Sequence, residues 1–471
     1  MLRLFKNKKI SIFLIFLFVL LLRFVSISQS LWLDEAFSFE VATKYPLKEL
    51  LFNFLPKDFY PPLYYLILHF WLKIFPATEF FLRLPSIIFS ILSCFYAYKL
   101  FKLYYHDKKG AVFSLLLLGT SPLYLYYSQE ARTYVLTSLL VILSIYYFAK
   151  LVKKRSFSNA FLYILTTLFM IYSHYLSFFL LPAQWFYFLT LKLKKKDLVN
   201  FFLVNFILLI LYLPWLPILL KQLKIGNKVA GESSVWSQTL GNLSFKNIGL
   251  LPVKFIMGRV SFDNKVLYGF IAFISFLFFG YLILKAYEKG LSLFFFWLIV
   301  PIVLGIIVSI KLPILSYFRF LFCLPALYLL LARGITRTRQ PRVFLGMALF
   351  INLFFCFKYL FNPINHREDW KQAVTQLHQE NILKEPVLIF QNVTAPFEYY
   401  DKGESSKVYI FQKEAVVNFD SVWLIPYAQP IFDPQDETRL FLKNNGFIRV
   451  FERHFNGVTL EKWEKMLAFK V

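Results

Sequence analysis

The chain has 471 residues, 58% of them hydrophobic, 21% aromatic and only 17% charged, more apolar surface than a soluble protein of this size can bury. Its formal charge of +25 lies largely in short clusters between apolar runs, Lys6–Lys9, Lys153–Arg155, Lys194–Lys196 and Arg333–Arg342; such clusters mark cytoplasmic loops facing anionic headgroups, and a nucleic-acid partner is unnecessary. Cys94, Cys323 and Cys356 all fall inside apolar runs, so neither a disulfide framework nor a cysteine metal site is expected.

Composition predicts a polytopic α-helical membrane protein. Runs of about 17 to 25 mostly apolar residues span a bilayer, and the sequence offers eleven: 10–27, 84–105, 111–127, 134–150, 160–173, 176–191, 198–220, 266–286, 291–310, 317–332 and 343–360. The first has the basic flank and apolar core of a signal peptide, but no small-residue cleavage site precedes Trp32, so it reads as a retained anchor.

Directly after it stands Ser30-Leu31-Trp32-Leu33-Asp34-Glu35. A carboxylate near a bilayer surface loses part of its hydration and persists there when something pairs with it or uses it. The competing reading is a solvated cap, with Asp34 opening a helix that runs through Phe39 and Val41. A further apolar run, 61–75, opens with Pro61-Pro62 and contains His69 and Lys73. Were it a span, three successive basic loops would fall outside, against the positive-inside rule. It is therefore expected as an interfacial or re-entrant helix of the first outer loop, 28–83. Eleven spans then leave the amino terminus cytoplasmic and the carboxy terminus outside, in a plasma (inner) membrane.

The outer side gathers the unusual polar residues: Asp34, Glu35, Glu40, Asp58 and Tyr60, then Ser128–Tyr134, Ser173–Tyr175, the basic loop 221–265 and the stretch 311–319. Cytoplasmic loops are short and carry no phosphate-binding glycine loop, so energy for chemistry must come from an activated substrate in or at the membrane. Beyond Leu360 the pattern changes. A helix beginning near Asp369, strand candidates at 386–390, 408–411, 421–425 and 447–451, and a helix near 437–443 predict a small α/β domain, 361–471, around a partly parallel sheet. It reads as a lid, an acceptor-recognition module or a purely structural appendage to the membrane domain, 1–360.

Each outer residue carries two readings. Glu130 and Arg132, at the outer end of the third span, form a snorkelling ion pair or a site in which Glu130 assists Asp34 and Arg132 meets a phosphate through paired donors. Tyr60 is an interfacial aromatic anchor or a phosphate hydrogen-bond donor. His174 is a packing histidine or a phosphate or metal ligand. Arg83 anchors the second span or meets a phosphate, and Arg319 opens the tenth span as a phosphate-binding candidate. In the loop 221–265, Lys221, Lys224, Lys228, Lys246, Lys254, Arg259 and Lys265 face only Glu232 and Asp263. Positive charge outside runs against topology and suits an anionic lipid-phosphate funnel.

Several stretches, in order, resemble the membrane-embedded GT-C glycosyltransferases that use polyprenyl-phosphate sugars, in the branch of the protein O-mannosyltransferases and lipid A aminoarabinose transferases. They are Leu33-Asp34-Glu35, Tyr60-Pro61-Pro62-Leu63-Tyr64-Tyr65, Arg83-Leu84-Pro85-Ser86, Ser121-Pro122 through Tyr134, Ser173-His174-Tyr175 and Glu368-Asp369-Trp370. The resemblance implies a GT-C-like membrane domain and a catalytic base in the first outer loop, a role that falls on Asp34, with Glu35 and Glu130 beside it. It implies a lipid-linked sugar donor whose phosphate meets Arg132, Arg319, Tyr60 or Arg83. Two positions depart from the pattern: Tyr60 stands where some relatives carry His or Lys, and Phe320 replaces a Tyr after Arg319. The family contains metal-using members, so a divalent ion held by Asp34, Glu130 and His174 is one expectation. The acceptor is a lipid, glycan or protein.

The reaction implied is an inverting glycosyl transfer on the outer side of the membrane. A transporter or flippase of lipid-linked sugars is the rival, but it would place ionisable residues near the bilayer midplane and show paired halves. A non-catalytic scaffold with a partner-binding outer domain is the third class.

Overall fold

The computed structural model describes residues 8–192, 194–232, 241–288 and 290–466. Lys6 and Asn7 of the first basic cluster and 233–240 of the long basic loop lie outside the described residues. The chain forms two compact units. One holds the residues up to Ile27, Tyr45–Pro76 and Phe80–Asn365; the other holds Ser28–Lys44, Ala77–Glu79 and the chain from His366 onward. The sequence suggested one boundary after Leu360, whereas the chain enters the second unit twice before that point.

In the first unit all eleven apolar segments lie on helices. Among the described residues six helices are long and apolar enough to cross a membrane, and a bent pair taken as one span makes a seventh. Ile10–Phe24, Phe157–Ser173, Tyr175–Leu189 and Leu293–Val308 are apolar but shorter. The protein is thus a multi-pass membrane protein.

The bent pair corrects the expectation of one continuous span over 111–127. Lys108–Gly119 and Pro122–Ser128 meet at 60°, because Ser121 caps the second helix by accepting from the Tyr124 N–H and Pro122 supplies no N–H for the first. Carbonyls released at such a break need partners in an apolar setting. Arg23 Nη1 donates to Gly119 O (3.0 Å), Asn352 Nδ2 to Leu117 O (3.1 Å) and Cys356 Sγ to Thr120 O (3.1 Å). Pro85 poses the same problem inside Glu79–Tyr105; its absent N–H frees the Phe81 carbonyl, which accepts from Trp71 Nε1 at 2.8 Å. Trp71 ends the Leu63–Trp71 helix, whose nine residues extend only about 14 Å at ~1.5 Å each, too short for a crossing.

In the second unit Leu33–Lys44 is a helix, and the carboxy-terminal part is built on a five-stranded sheet of order β2-β1-β3-β5-β4. β1 (Val387–Ile389) runs parallel to β2 (Lys407–Tyr409) and β3 (Ser421–Ile425). β4 (Phe447–Phe455) and β5 (Val458–Lys465) form a hairpin, and β5 is antiparallel to β3. Alternation along β3 sends Trp423 and Ile425 into a core with Trp370 and Leu377 of the Trp370–Glu380 helix, and Val422 and Leu424 into another with Leu442 of Glu437–Asn444.

β5, Val-Thr-Leu-Glu-Lys-Trp-Glu-Lys, was not among the strand candidates. Its Glu461 is fully buried, but Arg439 grips both carboxylate oxygens (2.6–3.1 Å) and Trp463 Nε1 donates to Oε2 at 2.9 Å. A buried carboxylate so paired is tolerated in a strand.

Candidate active site

Four of the expected phosphate-site residues meet in the first unit. The Arg132 guanidinium lies 4.6 Å from the centre of the Tyr60 ring, a cation–π arrangement. Tyr60 Oη shares a hydrogen bond with Tyr134 Oη at 3.2 Å, and the His174 ring packs edge-on to Tyr60 at 6.0 Å. Thr133, which opens the Tyr134–Lys153 helix, binds the Ser173 carbonyl through Oγ1 at 2.8 Å, so the Ser128–Tyr134 and Ser173–Tyr175 stretches are locked together. Arg319 comes from the Tyr317–Cys323 turn of helix and donates from Nη1 to Pro313 O at 2.9 Å.

His174 is held as a neutral donor. The Leu176 N–H donates to its Nδ1 (3.2 Å), which leaves the proton on Nε2. Burial, then the charges of Arg319 and Arg132, push the imidazolium down to about 3 from 6.5. Because the unfolded chain binds the proton at higher pH, stability falls as pH drops from 6.5 towards 3. Between pH 7 and 5 the wild type should lose about 2 kcal/mol relative to His174→Asn, at ~1.4 kcal/mol per pH unit below the unfolded pKa. Thermal unfolding at both values checks this.

Two neighbours appeared in the sequence only within larger groups, Asp58 among the outer polar residues and Arg259 in the basic loop. Asp58, three residues before the double proline, interacts with Arg132; burial raises its carboxyl pKa, against the pull of the Phe59 N–H, Tyr65 and Arg132. Arg259 remains solvent-accessible, donates to Tyr126 Oη at 2.9 Å and lies 4.9 Å from that ring. Burial, then Arg259 and Lys265, bring the Lys254 ammonium down to about 8. The cations here outnumber the Asp58 and Glu130 carboxylates that interact with them, which favours a further anion.

Two other candidates have structural surroundings. Arg83 is fully buried and donates from Nη1 to the Ile27 carbonyl at 2.5 Å. Glu130 is fully buried, its carbonyl accepts from Ser86 Oγ at 2.6 Å, and its carboxylate interacts with Arg259. Next to it, Gln129 donates to the carbonyls of Arg23 and Val25 at 2.9 and 2.7 Å. Among the described residues no three His, Cys, Asp or Glu side chains form a group that could hold a metal ion.

The adjacent acids belong to the second unit and separate in role. Asp34 and Glu35 lie in the first turn of Leu33–Lys44, where the helix dipole favours negative charge. Glu35 is fully buried with Arg367, Nε to Oε2 3.5 Å. Asp34 is half-buried and interacts with the Tyr427 phenol, as does Glu368. Burial, then the Glu368 and Asp34 charges, raise the Tyr427 pKa, so the phenol stays a donor. Arg367, Glu368 and Tyr427 were not named as site residues, although Glu368-Asp369-Trp370 was among the matching stretches.

The architecture has solved counterparts. ArnT from Cupriavidus metallidurans bound to undecaprenyl phosphate is similar at a TM-score of 0.63 and 11% identity, over 97% of this chain and 98% of that one. The archaeal oligosaccharyltransferase AglB from Archaeoglobus fulgidus, in complex with an inhibitory peptide and a dolichol-phosphate, is similar at 0.53 and 12% identity, over 96% and 74%. The chain thus shares its fold with these two proteins. By sequence, residues 60–218 match the family described as dolichyl-phosphate-mannose-protein mannosyltransferase; that stretch includes Tyr60, Arg83, Glu130, Arg132 and His174. No curated protein matches the chain significantly.

Proposed function

We propose that this protein is an inverting glycosyltransferase that moves a sugar from a polyprenyl-phosphate donor to an acceptor on the outer side of the membrane. The observation that carries the reading is the gathering of Arg132, Arg319, neutral His174 and Tyr60, with Arg259 accessible nearby. Guanidinium groups suit a phosphate leaving group. The undecaprenyl phosphate in the similar ArnT structure and the dolichol-phosphate in the AglB structure support this ligand class.

In this reading the eleven helical segments cross the membrane and the carboxy-terminal unit is extracytoplasmic. Asp34 takes the proton from the acceptor hydroxyl as its oxygen bonds to the anomeric carbon. The bond from that carbon to the phosphate oxygen breaks, and polyprenyl phosphate leaves with the electron pair. One displacement inverts the carbon, and the cations stabilise the departing charge.

The test is transfer by purified protein in proteoliposomes from labelled polyprenyl-phosphate sugars, with products identified. Arg132→Gln and Arg319→Gln should each raise the donor KM on the order of 10-fold, the value of a hydrogen bond to a charged group. Movement of intact lipid-linked sugar without any glycosylated product would establish the transporter instead.

A further inference from the structure

The Leu33–Lys44 helix is embedded in the carboxy-terminal part of its own unit. The Leu31 N–H donates to Tyr400 Oη (2.8 Å), the Lys371 N–H to Ser30 Oγ (3.1 Å) and the Arg367 N–H to Gln29 Oε1 (3.3 Å). Phe39 packs edge-on against Tyr399, ring centres 5.1 Å apart. With the buried Glu35–Arg367 pair, these contacts make 366–371 the seat of the segment that carries Asp34.

That seat has no regular structure of its own before Trp370 and is held from the sheet. Asn456, in the β4–β5 turn, donates from Nδ2 to the carbonyls of His366 (3.1 Å) and Arg367 (3.0 Å), and its own carbonyl accepts from the Asp369 N–H (2.8 Å). Gly457 follows at φ +71°, where a Cβ would meet Glu368 Cγ at 2.7 Å, so only glycine lets the turn approach this closely. From the opposite direction comes Tyr427, two residues past the carboxyl end of β3. Its ring lies 4.9 Å from Trp370 and its phenol interacts with the Glu368 and Asp34 carboxylates.

We propose that the carboxy-terminal sheet is a working part of the transfer site: Asn456 and Tyr427 are positioning residues that fix the 366–369 segment, and through it the approach of Asp34 to the acceptor. This rests on the glycosyltransferase reading above. The sheet is then neither a detachable lid nor an appendage, and its role is carried by named side chains. Displacing a catalytic group by about 1 Å costs on the order of 10²-fold in rate, so a turn that bonds to His366, Arg367 and Asp369 has leverage over turnover.

The test uses the full chain in proteoliposomes with a polyprenyl-phosphate sugar and its acceptor. Asn456→Ala should lower kcat about 10-fold or more with donor KM little changed, because Arg132 and Arg319 belong to the other unit. Tyr427→Phe keeps the ring and removes only the phenol hydroxyl that faces Asp34 and Glu368, so the acid limb of the kcat–pH profile should move to higher pH. A merely structural role would move neither the kcat–KM split nor the profile. Should Asn456→Ala fail to fold, Tyr427→Phe decides. Wild-type kcat and an unshifted profile in the folded variants overturn the proposal, as does an effect confined to donor KM. The two readings fail separately: full activity in Asp34→Asn removes the mechanism itself, whereas an inactive Asp34→Asn beside normal Asn456→Ala and Tyr427→Phe removes only this inference.

Discussion

Asp34→Asn should lower glycosyl transfer by roughly 10²- to 10⁴-fold, the range of a positioned general base, with little loss of stability. The substitution is chosen because it separates the two sequence readings of this residue. Asn serves about as well as Asp at a helix amino terminus, so a residue that merely opened the helix would leave activity intact. The geometry already weakens the capping alternative: the Ala36 N–H closes the first turn on the Trp32 carbonyl, placing Asp34 inside that turn rather than ahead of it. The dipole interaction lost with the charge is about 1 kcal/mol or less at a partly exposed position. Initial rates at saturating donor and acceptor, with unfolding temperatures alongside, give the comparison. Turnover within a few-fold of wild type would remove Asp34 from the chemistry.

The membrane part was legible because lipid leaves the chain little choice. Backbone groups in hydrocarbon must pair within their own segment, so long apolar runs become helices, and every run read from the sequence lies on one. The interruption at 119–122 was signalled by Ser121-Pro122 but was absorbed into a single run. What makes a 60° bend tolerable is a set of distant donors, Arg23, Asn352 and Cys356, that no local pattern reveals. The same limit hid β5. Glu461 looks disqualifying for a buried strand until Arg439 is brought to it by the fold.

The candidate residues divide along the same line. Arg132, His174, Tyr60 and Arg319 stood out because charge or hydrogen-bonding capacity at the edge of an apolar segment is costly and conspicuous, and the first unit brings them together. Arg83 stood out for the same reason, and its guanidinium holds the Ile27 carbonyl. Arg259 was visible only as one cation in a basic loop. Arg367, Glu368 and Tyr427 lie far along the chain from Asp34, in a domain whose sequence carries no chemistry of its own. Only their folding onto the first-loop helix gives them meaning.

The Glu35–Arg367 pair supplies the largest expected effect on stability. Both side chains are almost wholly excluded from water, with Nε 3.5 Å from Oε2. Removing one member of a buried pair leaves an uncompensated charge and typically costs 3–5 kcal/mol, so Arg367→Ala should destabilise the second unit by about that much. Replacing both, as in Glu35→Leu with Arg367→Met, should recover most of the loss, since apolar groups of similar size often match or exceed a buried pair. Denaturant unfolding of wild type, single and double variants forms a double-mutant cycle; single-variant losses below about 1 kcal/mol would show that the pair does not anchor the helix. The cycle also distinguishes the two acids. Glu35, engaged by a guanidinium inside the unit, should lose activity only in proportion to lost structure and regain it in the double variant. Asp34 should lose activity with the structure intact.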